Sequence, residues 1–269
     1  MRTRGIPAVL KDAFLGNIGA LEGIALILFV IIAWELTVDL GLIDPWFLSP
    51  PRAVAALVVR MFLVTGEVYP DILVSLQEGS LGFAIAVAIG IPLGIVMGRI
   101  DHAKNMMEPV VMALYATPTV ALLPLFALWL GFGLWSKVII VFLGGVFAVI
   151  VNTQAGVESA DPHVVEAARS FTATEGQIWR KIVLPSAVPF IIAGLRLAIG
   201  RVLISVVVAE MFGASAGVGY MIVSGGSLFQ ADKVFLGTAI FSVAGILTSQ
   251  ALAIAEKRLA PWLSIRTEV

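Results

Sequence analysis

The chain has 269 residues, of which 59% are hydrophobic and 13% charged, with a formal net charge of −1. Soluble domains run at about 45–50% apolar and about 25% charged residues; a core of this size cannot hide the excess, so the fitting solvent is a lipid bilayer. The near-zero charge argues against nucleic acid as a partner, and the absence of cysteine excludes disulfide frameworks and thiolate metal sites.

Arg2, Arg4 and Lys11 precede an apolar run that begins near Ala20. That run is too long for a signal-peptide core and lacks a small-residue cleavage site, so it reads as a first membrane span. A helix needs about 20 mostly apolar residues to cross the hydrocarbon core. Six segments meet or nearly meet that length: 20–42, 79–100, 108–131, 136–156, 187–211 and 234–256. Between the first two lies a proline-rich stretch around Trp46, Pro50 and Pro51, then an amphipathic run, Arg52 to Val64, that is too short and charged to span. It is expected to be an interfacial helix.

Gly90, Gly94 and Gly98 in the second span stand four apart on one face, the spacing that lets two helix backbones approach closely. The third predicted span carries Pro118 and Pro124. Each removes a helical hydrogen bond, and broken helices in membranes often mark transport pathways, although a simple kink is the alternative. His102 and His163 each sit beside an aspartate in a polar connector and read as solvated loop residues rather than metal ligands.

Basic residues in the connectors give the orientation. With the N-terminus inside, the inner connectors hold Arg2, Arg4, Lys11, Arg99, Lys104, Arg169, Arg180, Lys181, Lys257, Arg258 and Arg266, and the outer ones only Arg52, Arg60, Lys137 and Lys233. Both termini are therefore expected in the cytoplasm, with segments 1–19 and 258–269 flanking a membrane domain over 20–257.

The longest polar interruption, 157–186, falls on the cytoplasmic side. Asp161 as N-cap with Pro162 at the first helical position opens a helix to about Phe171, with Val164, Val165, Ala167, Ala168 and Phe171 along one stripe. Thr174 and Gln177 form a capping box that opens a second short helix, predicted to stop near Leu184-Pro185. An apolar-faced helix here can fold back on its own bundle or dock in a groove of a partner.

Glu166-Ala167-Ala168, followed by Ile182-Val183-Leu184-Pro185, resembles the cytoplasmic "EAA" loop of ABC importer permeases. In that family the loop carries the coupling helix that seats in a cleft of the ATPase subunit. The family's usual glycine six residues after the glutamate is replaced here by Thr172. Gly194-Leu195-Arg196, Glu210, Gly217-Val218-Gly219, Pro118 with Pro124-Leu125, and Leu48-Ser49-Pro50-Pro51 are similar to the nitrate/sulfonate/taurine branch, so the resemblance covers roughly 45–257.

The resemblance implies an all-α, six-span inner-membrane permease subunit without enzymatic activity or cofactor. It also implies two ATPase subunits, an extracytoplasmic solute-binding protein and a second, identical permease copy as partners. Glu166, Ala167, Ala168, Arg169, Leu184 and Pro185 would carry the coupling, and the solute would be small and often anionic. No G-x-x-x-x-G-K-[ST] loop occurs, and none of the lysines follows a glycine, so ATP is expected to bind elsewhere.

Arg196 and Arg201 lie within the fifth span, about 140° apart on the helix. Snorkelling or pairing in the bundle accounts for them, or else attraction of an anionic solute along the pathway. Glu210 lies too far along the helix to pair with Arg201. An ATP-independent secondary transporter is the alternative reading. It would show inverted repeats, and none is visible between residues 1–134 and 135–269. A membrane enzyme would need convergent catalytic groups that the two histidines do not supply.

Overall fold

The computed structural model describes the backbone of residues 6–212 and 214–259, with side chains described for 21–212 and 214–258. Arg2, Arg4, Arg266 and the Lys11 side chain, which enter the orientation argument, lie outside the described residues, as do the rest of 1–5 and 260–269 in the two flanking segments. Every regular element among the described residues is helical. Five helices are long and apolar enough to cross a membrane, and a sixth candidate is a pair of helices bent by 86°.

The chain divides into two compact units, residues up to 66 with 225–236, and 67–224 with 237 onward. In the first, α1 (Ile6–Asp39) supplies the first span and α2 (Pro51–Val59) the predicted interfacial helix, which runs on through a π-turn at Arg60–Val64. Pro51 sits in the first turn of α2, where its missing N–H costs nothing. Arg52 ties α2 to the end of α1: its guanidinium pairs with Glu35 and reaches both oxygens of Asp39, at 2.7 and 2.9 Å. The hydrogen bond to Asp39, more than any other influence, holds the Arg52 guanidinium above its usual range. Phe235 lies against Trp34, ring centroids 4.6 Å apart, and Phe229 against Phe47, edge-on at 6.0 Å, which fastens 225–236 to this unit.

The second unit is organised around α6 (Leu134–Glu158), the most buried helix, flanked by α3 (Val68–Arg99) and α9 (Leu184–Met211). One face of α3 is a stripe of buried residues: Ser75, Glu78, Gly82, Ala86, Gly90, Gly94 and Met97. A Cβ at Gly90 would lie 2.9 Å from Val149 Cβ, at Gly94 2.6 Å from the Ile150 carbonyl, and at Gly98 2.7 Å from Val157 Cβ. The predicted glycine face is thus a helix–helix seam, and its register rises along both chains, so α3 and α6 run parallel. Against α9 the order reverses: Gly144 and Gly145 of α6 meet Ser205 and Val202, whereas Gly156 meets Ala187 and Phe190. Lipid supplies no hydrophobic drive between helices, so this close approach of backbones is what holds them.

Three local expectations change. The third span is not one helix: α4 (Asp101–Ala116) stops at Thr117, a 3₁₀ turn covers Thr119–Leu122, and α5 (Leu123–Leu130) leaves at the sharp angle. Thr117 precedes Pro118 and is pushed into extended geometry (φ −73, ψ 131), which ends α4. Pro124, by contrast, sits in the first turn of α5 and breaks nothing. The second change is at Leu184-Pro185. Here the loop helix α8 (Glu175–Ile178) continues through a π-turn at Trp179–Val183 into α9, giving one span over Glu175–Met211. The widened turn, with Leu184 N–H donating to Trp179 O, absorbs the proline that would otherwise break the helix. Third, Lys137 is no connector residue; it is buried inside α6. Removing it from the outer set leaves Arg52, Arg60 and Lys233 there, which sharpens the charge bias.

Candidate functional site

Two groups of residues at opposite ends of the second unit, and a third between them, carry the features that a span has no structural need for. At one end is the loop joining α6 to α9. Asp161 accepts a hydrogen bond from His163 N–H at 2.8 Å and caps α7 (Pro162–Ser170). Thr174 and Gln177 complete the predicted capping box: Gln177 N–H donates to Thr174 Oγ1 and Thr174 N–H to Gln177 Oε1. Between the helices Thr172 has φ +62, the left-handed region that glycine adopts freely and a β-branched residue does not. The turn therefore keeps the shape the glycine would give it, at a cost in backbone strain. Arg169 bridges it to Glu175 at 3.0 Å.

The base of this loop is fixed. Ile178 is buried, and Trp179 lies under the Arg99 guanidinium from the end of α3, 4.9 Å from the ring centroid. Lys104 of α4 pairs with Glu158 at the end of α6 at 3.0 Å. The tip is free. No residue of α7 is buried; Glu166, Ala167 and Arg169 are exposed, Ala168 half-buried, and Phe171 is 84% exposed. Leu184 and Pro185 open α9 and are half-buried. Of the two destinations open to the apolar stripe, folding back onto the bundle is not the one adopted.

At the opposite end lies a buried polar cluster. Glu78 of α3, 1% exposed, accepts from Lys137 Nζ of α6 at 2.7 Å. Glu210 near the end of α9, with no exposure, accepts from Ser75 Oγ and from Gly219 N–H, both at 2.6 Å. Ser75 Oγ in turn accepts from Val218 N–H at 2.9 Å, and Asp71 from Gly217 N–H at 2.8 Å. Three consecutive amides leading into α10 (Val218–Ser227) are thus satisfied by side chains of α3 and α9. Gly217 has φ +118, and a Cβ there would sit 2.5 Å from the Glu210 carboxyl carbon, so only glycine passes.

Sequence reasoning noticed Glu210 but missed this cluster. A usable signal was present: residues 78, 137 and 210 fall at the same end of the second, fourth and fifth predicted spans and so at one depth. Among the described residues no group of three or more His, Asp or Glu side chains is placed to hold a metal ion.

The remaining predicted residues separate. Arg196 pairs with Glu256 of α11 (Ala231–Leu259) at 2.6 Å. Arg201 lies over the Tyr115 ring of α4, 4.3 Å from its centroid. Pro118 stands at the helix break, just after Ala116 and Thr117, while Pro124 stands beyond the 3₁₀ turn. A cleft of about 490 Å³ between α3, α9 and α11 is lined by side chains such as Leu76, Phe83, Leu195, Val202 and Phe241, with no charged group.

The chain belongs to the family of binding-protein-dependent transport system inner membrane components, whose model matches residues 90–261. It is accordingly the permease subunit of an ABC importer, a multi-pass inner-membrane protein that works with a separate ATPase subunit and a binding protein.

Among its relatives is a Bacillus subtilis (strain 168) protein named for aliphatic sulfonate transport, SsuC, 33% identical over 95% of this chain and 92% of that protein. The taurine transport system permease TauC of Escherichia coli (strain K12) is 31% identical over 85% of each chain. The fold is shared with a crystal structure of an amino acid ABC transporter (TM-score 0.58, 20% identity, 74% of this chain and 96% of that one). It is shared equally with the MetNI methionine ABC transporter in an inward-facing conformation (TM-score 0.58, 18% identity, 74% and 97%).

Proposed function

We propose that α7 and the turn after it are the coupling element: Glu166, Ala167, Ala168 and Arg169 enter a cleft of the ATPase, and Leu184 and Pro185 pass the motion into α9. The carrying observation is the contrast within one loop, a base anchored by Ile178 and the Arg99–Trp179 contact and a tip with no buried residue. A lever needs that combination, because force on a free tip reaches the spans only through a stiff root. The small side chains of Ala167 and Ala168 permit close seating, and Phe171 is a large apolar group left for a partner to cover.

In this reading the membrane unit is a pair of identical permease chains with two ATPase subunits, one coupling helix entering each. The termini and the 157–186 loop face the cytoplasm, and the buried cluster around Glu210 lies toward the binding protein. The names of the sulfonate and taurine relatives support a small anionic solute, a sulfonate first among them. The test is a pull-down of the detergent-solubilised complex, comparing the natural protein with Glu166→Arg and Ala167→Trp. Both variants are expected to fold and to capture about tenfold less ATPase; full retention of the ATPase would remove α7 as the docking element.

A further inference from the structure

The cations inside the spans are not alike. Lys137 and Arg196 each hold a carboxylate, at 2.7 and 2.6 Å. Arg201 does not: among the described residues its one recorded contact is the Tyr115 ring. It stands 17 residues after Leu184 and 10 before Met211, so about 25 Å from one end of α9 and about 15 Å from the other. That depth is well inside a hydrocarbon core of about 30 Å. The side chain is on the exposed face of the helix, with Leu197 and Ile204.

A guanidinium with no carboxylate at that depth is costly, and such charges characteristically face a bundle interior or a water-filled cavity and mark ion or substrate pathways. The Arg201 guanidinium carbon lies 4.3 Å from the Tyr115 ring centroid, and among the described residues its N–H groups have no hydrogen-bond or ion-pair partner; those N–H groups form the fork that matches a carboxylate or sulfonate. A second, independent feature lies beside it. One residue after Tyr115 the helix α4 ends at Ala116, and Thr117 and Pro118 run extended beside it. Non-helical backbone at that depth survives only against protein or a water-filled cavity. The apolar cleft between α3, α9 and α11 offers an anion nothing.

We propose that Arg201, stacked on Tyr115 beside the Thr117–Pro118 break, is a mid-membrane station for a singly charged oxyanion of the sulfonate or carboxylate class on the translocation route. This rests on the permease reading with an anionic solute given above. Arg201 binds and orients the anion; Tyr115 positions the guanidinium.

Because the chain contains no cysteine, Ile204→Cys gives the subunit one thiol, about 60° around the helix and one turn from Arg201. In the complete importer, reconstituted in lipid, its reaction with sulfonatoethyl methanethiosulfonate is compared with that of the trimethylammonium reagent, each normalised to its rate with a free thiol. The anionic reagent is expected to be faster by about tenfold, and ethanesulfonate in excess is expected to slow it. Arg201→Gln is expected to abolish the preference, Arg201→Lys to retain part of it, and Tyr115→Leu to weaken it.

No reaction with either reagent would mean that Arg201 faces lipid. An absent or reversed preference would mean that a carboxylate of another subunit neutralises it; either result overturns the proposal. Uptake of labelled taurine and the ATPase pull-down are scored on the same preparations. With Arg201 in place, absence of the anion preference while both of those are intact condemns the station alone, whereas a preference without ATPase capture condemns the coupling reading alone.

Discussion

Lys137 and Glu78 meet at 2.7 Å with side chains 10% and 1% exposed. Two ions taken out of water gain from each other what they lose in solvation only while both are present, and removing one partner strands the other. Lys137→Met is therefore expected to destabilise the solubilised protein by about 3–5 kcal/mol, while Lys137→Met with Glu78→Leu recovers most of that loss. Thermal denaturation of the two single variants and the double variant checks it; additive losses would show that the two groups are not coupled. The neighbouring Glu210 acts through different bonds, to Ser75 and Gly219, and holds the connection into α10 rather than the α3–α6 seam.

Helix α3 can lie against α6 because its contact face carries glycines where side chains would collide. Gly94→Ala would place a Cβ 2.6 Å from the Ile150 carbonyl, a backbone atom that cannot step aside. Overpacking of this kind costs about 1–3 kcal/mol. Gly23→Ala in α1 makes the same chemical change with nothing within 4 Å, and there the better helix propensity of alanine is worth up to about 1 kcal/mol of stabilisation. Melting temperatures of the two variants are expected to move in opposite directions. The broken span follows from an element-scale conflict too. Hydropathy treats 108–131 as one apolar stretch, yet Thr117 before Pro118 cannot stay helical, so the chain turns by 86° inside a segment of uniform composition.

Helix directions within the second unit set the ends of the α6–α9 loop and of the Glu210 cluster apart, and the connectors at each end acquire opposite exposures to the two sides of the membrane. Single-cysteine variants test this directly, since no natural thiol competes. His102→Cys, exposed near the loop end, is expected to react with an impermeant maleimide only in inverted vesicles. Phe132→Cys, exposed between α5 and α6, is expected to react only in intact cells. The reverse pattern would invert the orientation assigned from the basic residues.

Composition and apolar run lengths were enough to place the chain in a membrane and to mark its apolar segments and a short helix after Pro51, although α3 begins at Val68 rather than 79 and the fifth span continues from Glu175 rather than 187. Caps that use only neighbouring residues, Asp161 with His163 and Thr174 with Gln177, were equally legible, because local bonds are written in local spacing. The Glu166-Ala167-Ala168 motif added the family, which periodicity alone does not carry. What stayed hidden joins residues far apart in the chain. The Glu78–Lys137 pair, the capture of the 217–219 amides and the Arg201–Tyr115 stack each depend on which helix faces which and at what depth. Those are properties of packing, settled by the glycine seams between helices, and a linear pattern of hydropathy holds no record of them.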